Sequence, residues 1–226
     1  SQRFNFDYNQ LISGGKFNSK VTIDSSIENQ SNDEWVKEGS ILTNYNKNIN
    51  NKFNIHISSA LQTSKNYIQK TIPNDDLSYS SSLNSSININ GFNLKKMDDR
   101  FKFNISYYQS NQNDENSKTI PTILPYIVYD YGTGIYGIHN YSHILETYNI
   151  FRDTPSDVHA KSQKKLSSTL KINREFVAYN GNIKYQTNLY NQFFNVEDKK
   201  FENRYINTNL FRTFAIFGVD YETPFR

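Results

Sequence analysis

The sequence contains no cysteine, which removes disulfides and thiolate metal sites from consideration. Hydrophobic residues reach only 36%, below the roughly 45–50% of an ordinary globular domain. No run approaches the ~20 apolar residues of a membrane-spanning helix. The continuous Val/Ile/Leu runs of a buried parallel sheet are missing as well. Charge of one sign is also lacking: 25 basic and 22 acidic residues leave +3, which gives no electrostatic case for a nucleic-acid partner. The pairs Lys95-Lys96, Lys164-Lys165 and Lys199-Lys200 stand alone and read as solvated turns and strand ends. Ser1 opens directly into strand-like sequence with no signal peptide, and Tyr221-Glu222-Thr223-Pro224-Phe225-Arg226 stops without an evident terminus. The chain is therefore expected to be a fragment missing both ends, with any export signal upstream.

Aromatic residues are plentiful: 17 Tyr and 16 Phe make aromatics 15% of the chain. Disordered segments usually lack them. A chain poor in aliphatics and rich in Tyr and Phe fits a barrel with a wet interior. Such a barrel needs apolar residues on one face only and places aromatics at the two membrane interfaces.

The dominant pattern has period two. Phe53, Ile55, Ile57 and Leu61 alternate with Asn54, His56, Ser58 and Ala60. Phe17, Val21, Ile23 and Ile27 alternate with Asn18, Lys20, Thr22 and Asp24. Phe101, Phe103, Ile105 and Tyr107 alternate with Lys102, Asn104 and Ser106. The same holds for Leu166, Leu170 and Ile172 against Lys165, Ser167, Thr169 and Lys171, and for Ile183, Tyr185 and Leu189 against Lys184, Gln186 and Asn188. Strands are predicted near 3–12, 17–28, 39–46, 53–64, 77–89, 101–110, 119–130, 137–151, 161–172, 180–194 and 203–222. Many span ten residues or more, against ~5–6 for globular strands. A tilted strand crossing a bilayer needs ~9–11. The fold expected is all-β: an antiparallel up-and-down meander of about 10–12 long strands, with residues 1–226 forming part of a large outer-membrane β-barrel.

Candidate chemistry is sparse. Gly132-Thr133-Gly134-Ile135-Tyr136-Gly137 fits G-x-G-x-x-G, but Ile138-His139-Asn140-Tyr141 after it makes a poor helix start, so a Gly-rich hairpin turn is the reading. On a strand, His139 and His143 share a face two pleats apart, and Glu146 falls on the other, a poor ligand set for zinc. There is no G-x-S-x-G elbow. Trp35 reads as an interfacial anchor or a packed loop residue. Pro121 and Pro125 imply a local break or weak pairing in their strand, which marks a bulge or a point where a barrel opens, the bulge being the favoured reading. No catalytic residue, cofactor-binding residue or metal ligand is assigned, and neither an enzymatic activity nor a cofactor is expected.

The order of segments carries a resemblance. A polar alternating strand ends in Tyr107-Tyr108-Gln109, a polar loop follows, and then comes Ile120-Pro121-Thr122-Ile123-Leu124-Pro125-Tyr126-Ile127-Val128-Tyr129. This resembles the middle of the barrel of the LptD family, the outer-membrane lipopolysaccharide-assembly proteins, in its alphaproteobacterial form. There an aromatic-Gln pair precedes a P-x-x-L-P strand. Arg212-Thr213-Phe214 through Gly218-Val219-Asp220-Tyr221-Glu222-Thr223-Pro224-Phe225-Arg226 is similar to a later segment, with Glu222-Thr223 set between Tyr221 and Pro224. The resemblance implies a very large single-chain barrel with an N-terminal periplasmic jellyroll. It implies the plug lipoprotein LptE and periplasmic bridge proteins as partners. It also implies passage of lipopolysaccharide through a lateral opening into the outer leaflet. The chain would then be central barrel strands in the cell outer membrane, in contact with lipopolysaccharide and outer-membrane lipid. The resemblance transfers no site residue.

Two other readings use the same pattern: a porin-like channel, and a soluble extracellular β-sandwich used for adhesion. A membrane barrel predicts Phe53, Ile55, Ile57, Phe101, Phe103, Ile105, Leu166 and Leu170 facing lipid. Asn54, His56, Lys102, Asn104, Ser167 and Thr169 would then face the concave side. It also predicts that connections 29–38, 65–76, 111–118, 152–160 and 195–202, with Asp33, Glu34, Asp75, Asp76, Asp114, Glu115, Asp153, Asp157, Glu197 and Asp198, gather at the cell-surface rim. Connections near 13–16, 47–52, 90–100, 131–136 and 173–179 would lie at the periplasmic rim.

Overall fold

The computed structural model of the chain describes residues 2–27, 35–64, 67–71, 76–95, 98–111, 118, 120–155 and 159–223. It is built from eleven strands: β1 (Gln2–Ile12), β2 (Gly15–Ile27), β3 (Trp35–Asn48), β4 (Phe53–Gln62), β5 (Ser82–Phe92), β6 (Arg100–Ser110), β7 (Thr122–Tyr136), β8 (His139–Phe151), β9 (Ser162–Ala178), β10 (Gly181–Phe201) and β11 (Arg204–Glu222). Among the described residues a short helix, α1 (Tyr67–Thr71), and a 3-10 turn over Asp76–Tyr79 interrupt the series. The strands form one sheet in sequence order, with β1 and β11 at its two ends and not paired with each other. The fold is thus the expected all-β meander. The β1–β2, β2–β3, β3–β4, β9–β10 and β10–β11 pairings are antiparallel throughout.

The chain divides into two compact units. The first comprises Ser1–Ile89, Asn104–Leu124 and Phe151–Thr154; the second comprises Asn90–Phe103, Pro125–Ile150 and Pro155–Arg226.

In the first unit the registers sort side chains onto two faces. Thr22, Ser40 and Gln62 lie directly opposite one another on β2, β3 and β4. Their neighbours Ile23, Ile41 and Leu61 point to the other side. The polar trio is buried, at 2%, 3% and 6% exposure, whereas the apolar trio is open, at 47%, 45% and 37%. This inverts the arrangement of a water-soluble sheet, in which the aliphatic face is the covered one. Phe4, Phe6 and Phe17 share the apolar face through their register with Ile23, Val21 and Tyr45. Phe53, Ile55 and Ile57 do so along β4, and Asn54 and His56 lie on the polar side, as the alternation requires. In the second unit Ser167 is buried beside an exposed Leu166. Strand β11 departs from the pattern: Phe214, Ile216 and Leu210 share the face of Arg212, so both of its sides are apolar and both are exposed.

The only apolar core cluster among the described residues is small: Ala60, Tyr67, Ile68 and Leu83, with Leu42 and Leu77 against it. It explains one departure from the sequence reading. Residues 77–89 were expected to be one strand, but Leu77 belongs to this cluster and Asn111 Nδ2 donates to the carbonyls of Leu77 and Ser80, both at 3.0 Å. The strand therefore starts only at Ser82.

Strand β7 runs to Tyr136 and β9 to Ala178, both beyond the predicted ends, so the turns fall at 137–138 and 179–180 instead of within 131–136 and 173–179. Residues 195–202 were expected to be a connection. Instead β10 passes through them with a bulge between Val196 and Lys199, after which Lys199, Lys200 and Phe201 pair with Ile206, Tyr205 and Arg204. Their charge marks a hairpin tip. Lys164 and Lys165 are inside β9 on opposite faces, each ion-paired, at Glu197 and Glu146.

Where described, the connections sort as expected within each unit. In the first, turns 13–14 and 49–52 close one end of the strands, and the described residues of the β4–β5 and β6–β7 connections lie at the other, where Gln62 Nε2 donates to the Ser110 carbonyl at 3.3 Å. In the second, turns 137–138 and 179–180 oppose the end where Lys161 N–H donates to the Asp198 carbonyl at 3.4 Å. Asp33, Glu34, Asp75, Lys96, Asp114, Glu115, Asp157, Pro224, Phe225, Arg226 and the Trp35 side chain lie outside the described residues.

Candidate functional site

The polar face of the first unit holds the most developed constellation of hydrogen-bonding groups. Asn9, Asn18, Asn44 and Ser58 sit directly opposite one another on β1 to β4. Adjacent strands are about 4.8 Å apart, so this is a transverse row of side-chain donors and acceptors. One pleat away Asp7 faces Lys20, and the row continues into Leu42 and Ala60. Together with Leu77 these residues line an open trough of about 640 Å³.

Beyond Ser58 the network is continuous. Ser58 Oγ lies 3.0 Å from Ser86 Oγ, Asn88 Nδ2 donates to Ser86 Oγ (2.9 Å), Asn104 Nδ2 donates to Asn88 Oδ1 (2.7 Å), and Ser106 Oγ donates to Asn104 Oδ1 (2.9 Å). At the short-turn end Asn54 Nδ2 donates to Asn46 Oδ1 and Asn48 Oδ1, both at 2.8 Å. Amides dominate because each offers two donors and a two-lone-pair acceptor without a net charge to desolvate.

One end of the trough is formed by the α1 insert. Gln62 anchors it: its Nε2 donates to Asn111 Oδ1 (3.1 Å), and its Oε1 accepts the Ile68 N–H (3.1 Å). Its backbone is clamped by Gln109, whose Oε1 accepts the Gln62 N–H (2.9 Å) and whose Nε2 donates to the Gln62 carbonyl (2.7 Å). A second anchor is Tyr67, whose hydroxyl donates to Asp24 Oδ2 at 2.9 Å. Arg3 grips the same carboxylate through Nε (2.8 Å) and Nη2 (2.9 Å). Burial pushes the Tyr67 hydroxyl up to about 12, and the neighbouring Asp24 carboxylate adds to the shift. The sequence reading missed this insert. Its signal was present in the apolar Tyr67, Ile68 and Leu77 of a connection rich in polar residues.

The second unit carries its own polar cluster. Glu146 Oε2 accepts Lys165 Nζ (2.7 Å) and Ser167 Oγ (3.0 Å), and the carboxylate is also bonded by Tyr126. Lys165 Nζ lies 5.5 Å from the centre of the Tyr148 ring, and Lys102 Nζ lies 5.8 Å from that of Tyr126. The Glu146 carboxylate is thus bonded by Lys165, Ser167 and Tyr126.

The residues weighed from sequence each have a structural role. Gly132 has φ +67°, and a Cβ there would fall 2.9 Å from the backbone of Asp98, at the β5–β6 turn. That turn is held by the buried Asp99 carboxylate, which accepts the N–H groups of Leu94 (2.5 Å) and Lys95 (2.8 Å) and the Tyr129 hydroxyl (2.9 Å). Gly134 lies under the Tyr141 ring, and Gly137 has φ +59° in the β7–β8 turn. His139 and His143 have separate partners. His139 packs edge-on against Tyr185 and hydrogen-bonds its hydroxyl. His143 stacks on Tyr131, with centroids 5.2 Å apart, and its Nε2 lies 2.8 Å from Ser168 Oγ. Glu146 is on the opposite face, with Ser167. Pro125 is inside β7, and Pro121 precedes it.

What the polar face can do chemically is bind: it offers many neutral donors and acceptors in rows, flanked by isolated charges. No protein-family model matches the chain, and no curated protein matches it.

Proposed function

We propose that the chain is a wall segment of an outer-membrane β-barrel, and that it serves the translocon that inserts lipopolysaccharide into the outer leaflet. One observation supports the membrane part above the others: Thr22, Ser40 and Gln62 are buried on one face while Ile23, Ile41 and Leu61 are exposed on the other. Placing the open aliphatic face against lipid and the amide-rich face toward an aqueous lumen removes the cost of leaving apolar area in water. Strand lengths support the same placement, from the ten residues of β4 to the twenty-one of β10.

The lipopolysaccharide part rests on the resemblance of Tyr107-Tyr108-Gln109 and the Pro121–Pro125 segment to the LptD family. The row of Asn9, Asn18, Asn44 and Ser58 suits it, because sugar hydroxyls both donate and accept, as side-chain amides do. In this mechanism the polar face guides saccharide and phosphate groups passively, while the acyl chains leave sideways into the membrane through the barrel's lateral opening.

The absence of native cysteine allows single-site labelling. Spin labels at Ile23→Cys, Ile41→Cys and Leu61→Cys in reconstituted protein are expected to collide with oxygen in preference to a water-soluble nickel chelate, and labels at Asn18→Cys and Asn44→Cys to do the reverse. Equal nickel access on both faces would remove the membrane reading. Depleting the protein from cells is expected to slow the arrival of newly made lipopolysaccharide at the surface. Unchanged arrival with impaired uptake of small solutes would assign a porin-like channel instead.

A further inference from the structure

The apolar face of the first unit carries a second concavity, on the side of the sheet away from the polar trough. Gly39 lies opposite Ile23 of β2, and its N–H donates to Thr63 Oγ1 (2.8 Å) while its carbonyl accepts the Thr63 N–H (2.9 Å). With no side chain on Gly39, the backbone forms a floor; a Cβ there would fall 2.6 Å from the Thr22 carbonyl oxygen. One pleat along, Val21, Ile41 and Leu61 lie in register across three strands. One pleat the other way, Lys37 faces Ser25. These residues line a groove of about 360 Å³.

From Lys37 to Ile41 the strand covers about 13 Å. A single leaflet of bilayer hydrocarbon is about 15 Å deep. The groove is therefore the length of one acyl chain's upper part, with a cation at one end and aliphatic walls along the rest. Thr22, Glu38, Ser40 and Gln62 also border it, but their register puts their side chains on the opposite face of the sheet; the Thr63 hydroxyl, on the groove's own face, is committed to Gly39. Lys37 has no ion pair among the described residues, whereas Lys164 on the apolar face of the second unit is paired with Glu197 at 3.3 Å.

We infer that this groove is a lipid site that takes one acyl chain of an anionic membrane lipid, with the headgroup phosphate against Lys37. The inference rests on the membrane reading above and adds to it a specific, charge-selective position on the lipid-facing surface. Ordinary annular contact needs only an apolar surface; this position pairs a floor without side chains with a cation that has no ion pair among the described residues.

The test uses the whole chain reconstituted in phosphatidylcholine bilayers. The bilayers contain a trace of either phosphatidylglycerol or phosphatidylcholine with a photoreactive diazirine in the acyl chain, and adducts are mapped by peptide mass spectrometry. Adducts at Ile23, Ile41 and Leu61 are expected to favour the phosphatidylglycerol probe about fivefold, the factor given by one lysine near an anionic lipid surface. Lys37→Gln should abolish that preference, and Lys164→Gln should leave it intact. Ile23→Trp, a substitution at an exposed position, should fill the groove and reduce adducts at Ile41 and Leu61. Equal labelling by the two probes overturns the inference, as does the same preference at Phe193 and Phe211 in the second unit. Either result leaves the membrane reading standing. Absence of adducts at all five positions overturns both.

Discussion

The ring of Tyr221 covers Gly181, and its hydroxyl donates to the carbonyl of Tyr179, 3.0 Å away, in the turn that precedes Gly181. The same device closes the β1–β2 hairpin. Tyr45 lies across Gly15, where a Cβ would fall 2.7 Å from the ring, and its hydroxyl donates to the Ile12 carbonyl at 3.4 Å. An aromatic ring laid over a strand glycine restores the packing the glycine forgoes. Here it also satisfies a carbonyl at the hairpin end. Tyr221→Phe is expected to cost about 0.5–1.5 kcal/mol through the lost hydrogen bond. Gly181→Ala is expected to cost about 1–3 kcal/mol, because the added methyl displaces the ring. Urea unfolding of the reconstituted protein measures both; a neutral Gly181→Ala would show that the ring moves freely.

Tyr67 gives a pH dependence of definite sign. Its ionisation is raised from 10.0 to about 12, so the folded state holds the proton that the unfolded state releases. The contribution to stability is complete below pH 10 and is lost as pH rises through about 12. The urea midpoint of the native protein should therefore fall between these values by more than that of Tyr67→Phe. The difference in phenolate absorbance between the two proteins should show a step near the upper value.

Gln62→Ala is expected to release the α1 insert. It leaves the Ile68 N–H, the Ser110 carbonyl and Asn111 Oδ1 without this partner. A loss of about 1–3 kcal/mol per buried group left unpaired follows. Limited proteolysis across residues 63–81 should accelerate at least tenfold, since about 1.4 kcal/mol suffices for that factor when opening precedes cleavage. Unchanged cleavage would assign the anchoring to Tyr67 and Asp24 instead.

Ile41→Arg and Asn44→Arg sit near the middle of β3 on opposite faces. On a lipid-facing surface the first should cost about 2–4 kcal/mol of folding free energy into vesicles, and on a wet face the second should cost little. Equal effects would contradict the assignment of faces.

Alternation alone made the strands legible, because residues such as Phe53, Ile55 and Ile57 against Asn54 and His56 leave no other regular backbone that segregates them. Strand ends were less legible. Glu197-Asp198-Lys199-Lys200 has the composition of a loop, yet the chain stays paired there through a bulge, since charge at a hairpin tip costs nothing in water. The α1 insert was hidden for a different reason. Its three apolar residues meet Ala60 and Leu83 only once β4 and β5 are assembled, and no local period announces a contact made across the sheet. The glycines of the G-x-G-x-x-G match were read as turn residues, and one is. The close approaches at Gly132 and Gly134 depend on Asp98 and Tyr141, which only the folded sheet brings alongside. The rows of amides on the polar face were visible as polar positions but not as rows, because register is a property of pairs of strands.

The hairpin connectivity also sets an order of assembly. Every strand pairs with its sequence neighbour, so each pairing waits on the closure of one connection only. Closing a loop becomes costlier with its length, and the span 63–81 costs roughly 2 kcal/mol more to close than the turn at 179–180. Pairing is therefore expected to start at the two-residue turns joining β1 to β2, β7 to β8, β9 to β10 and β10 to β11. The β4–β5 junction, with its folded-back insert, is expected to close late, so the apolar cluster of Tyr67, Ile68, Ala60 and Leu83 is completed only after the neighbouring hairpins are in place.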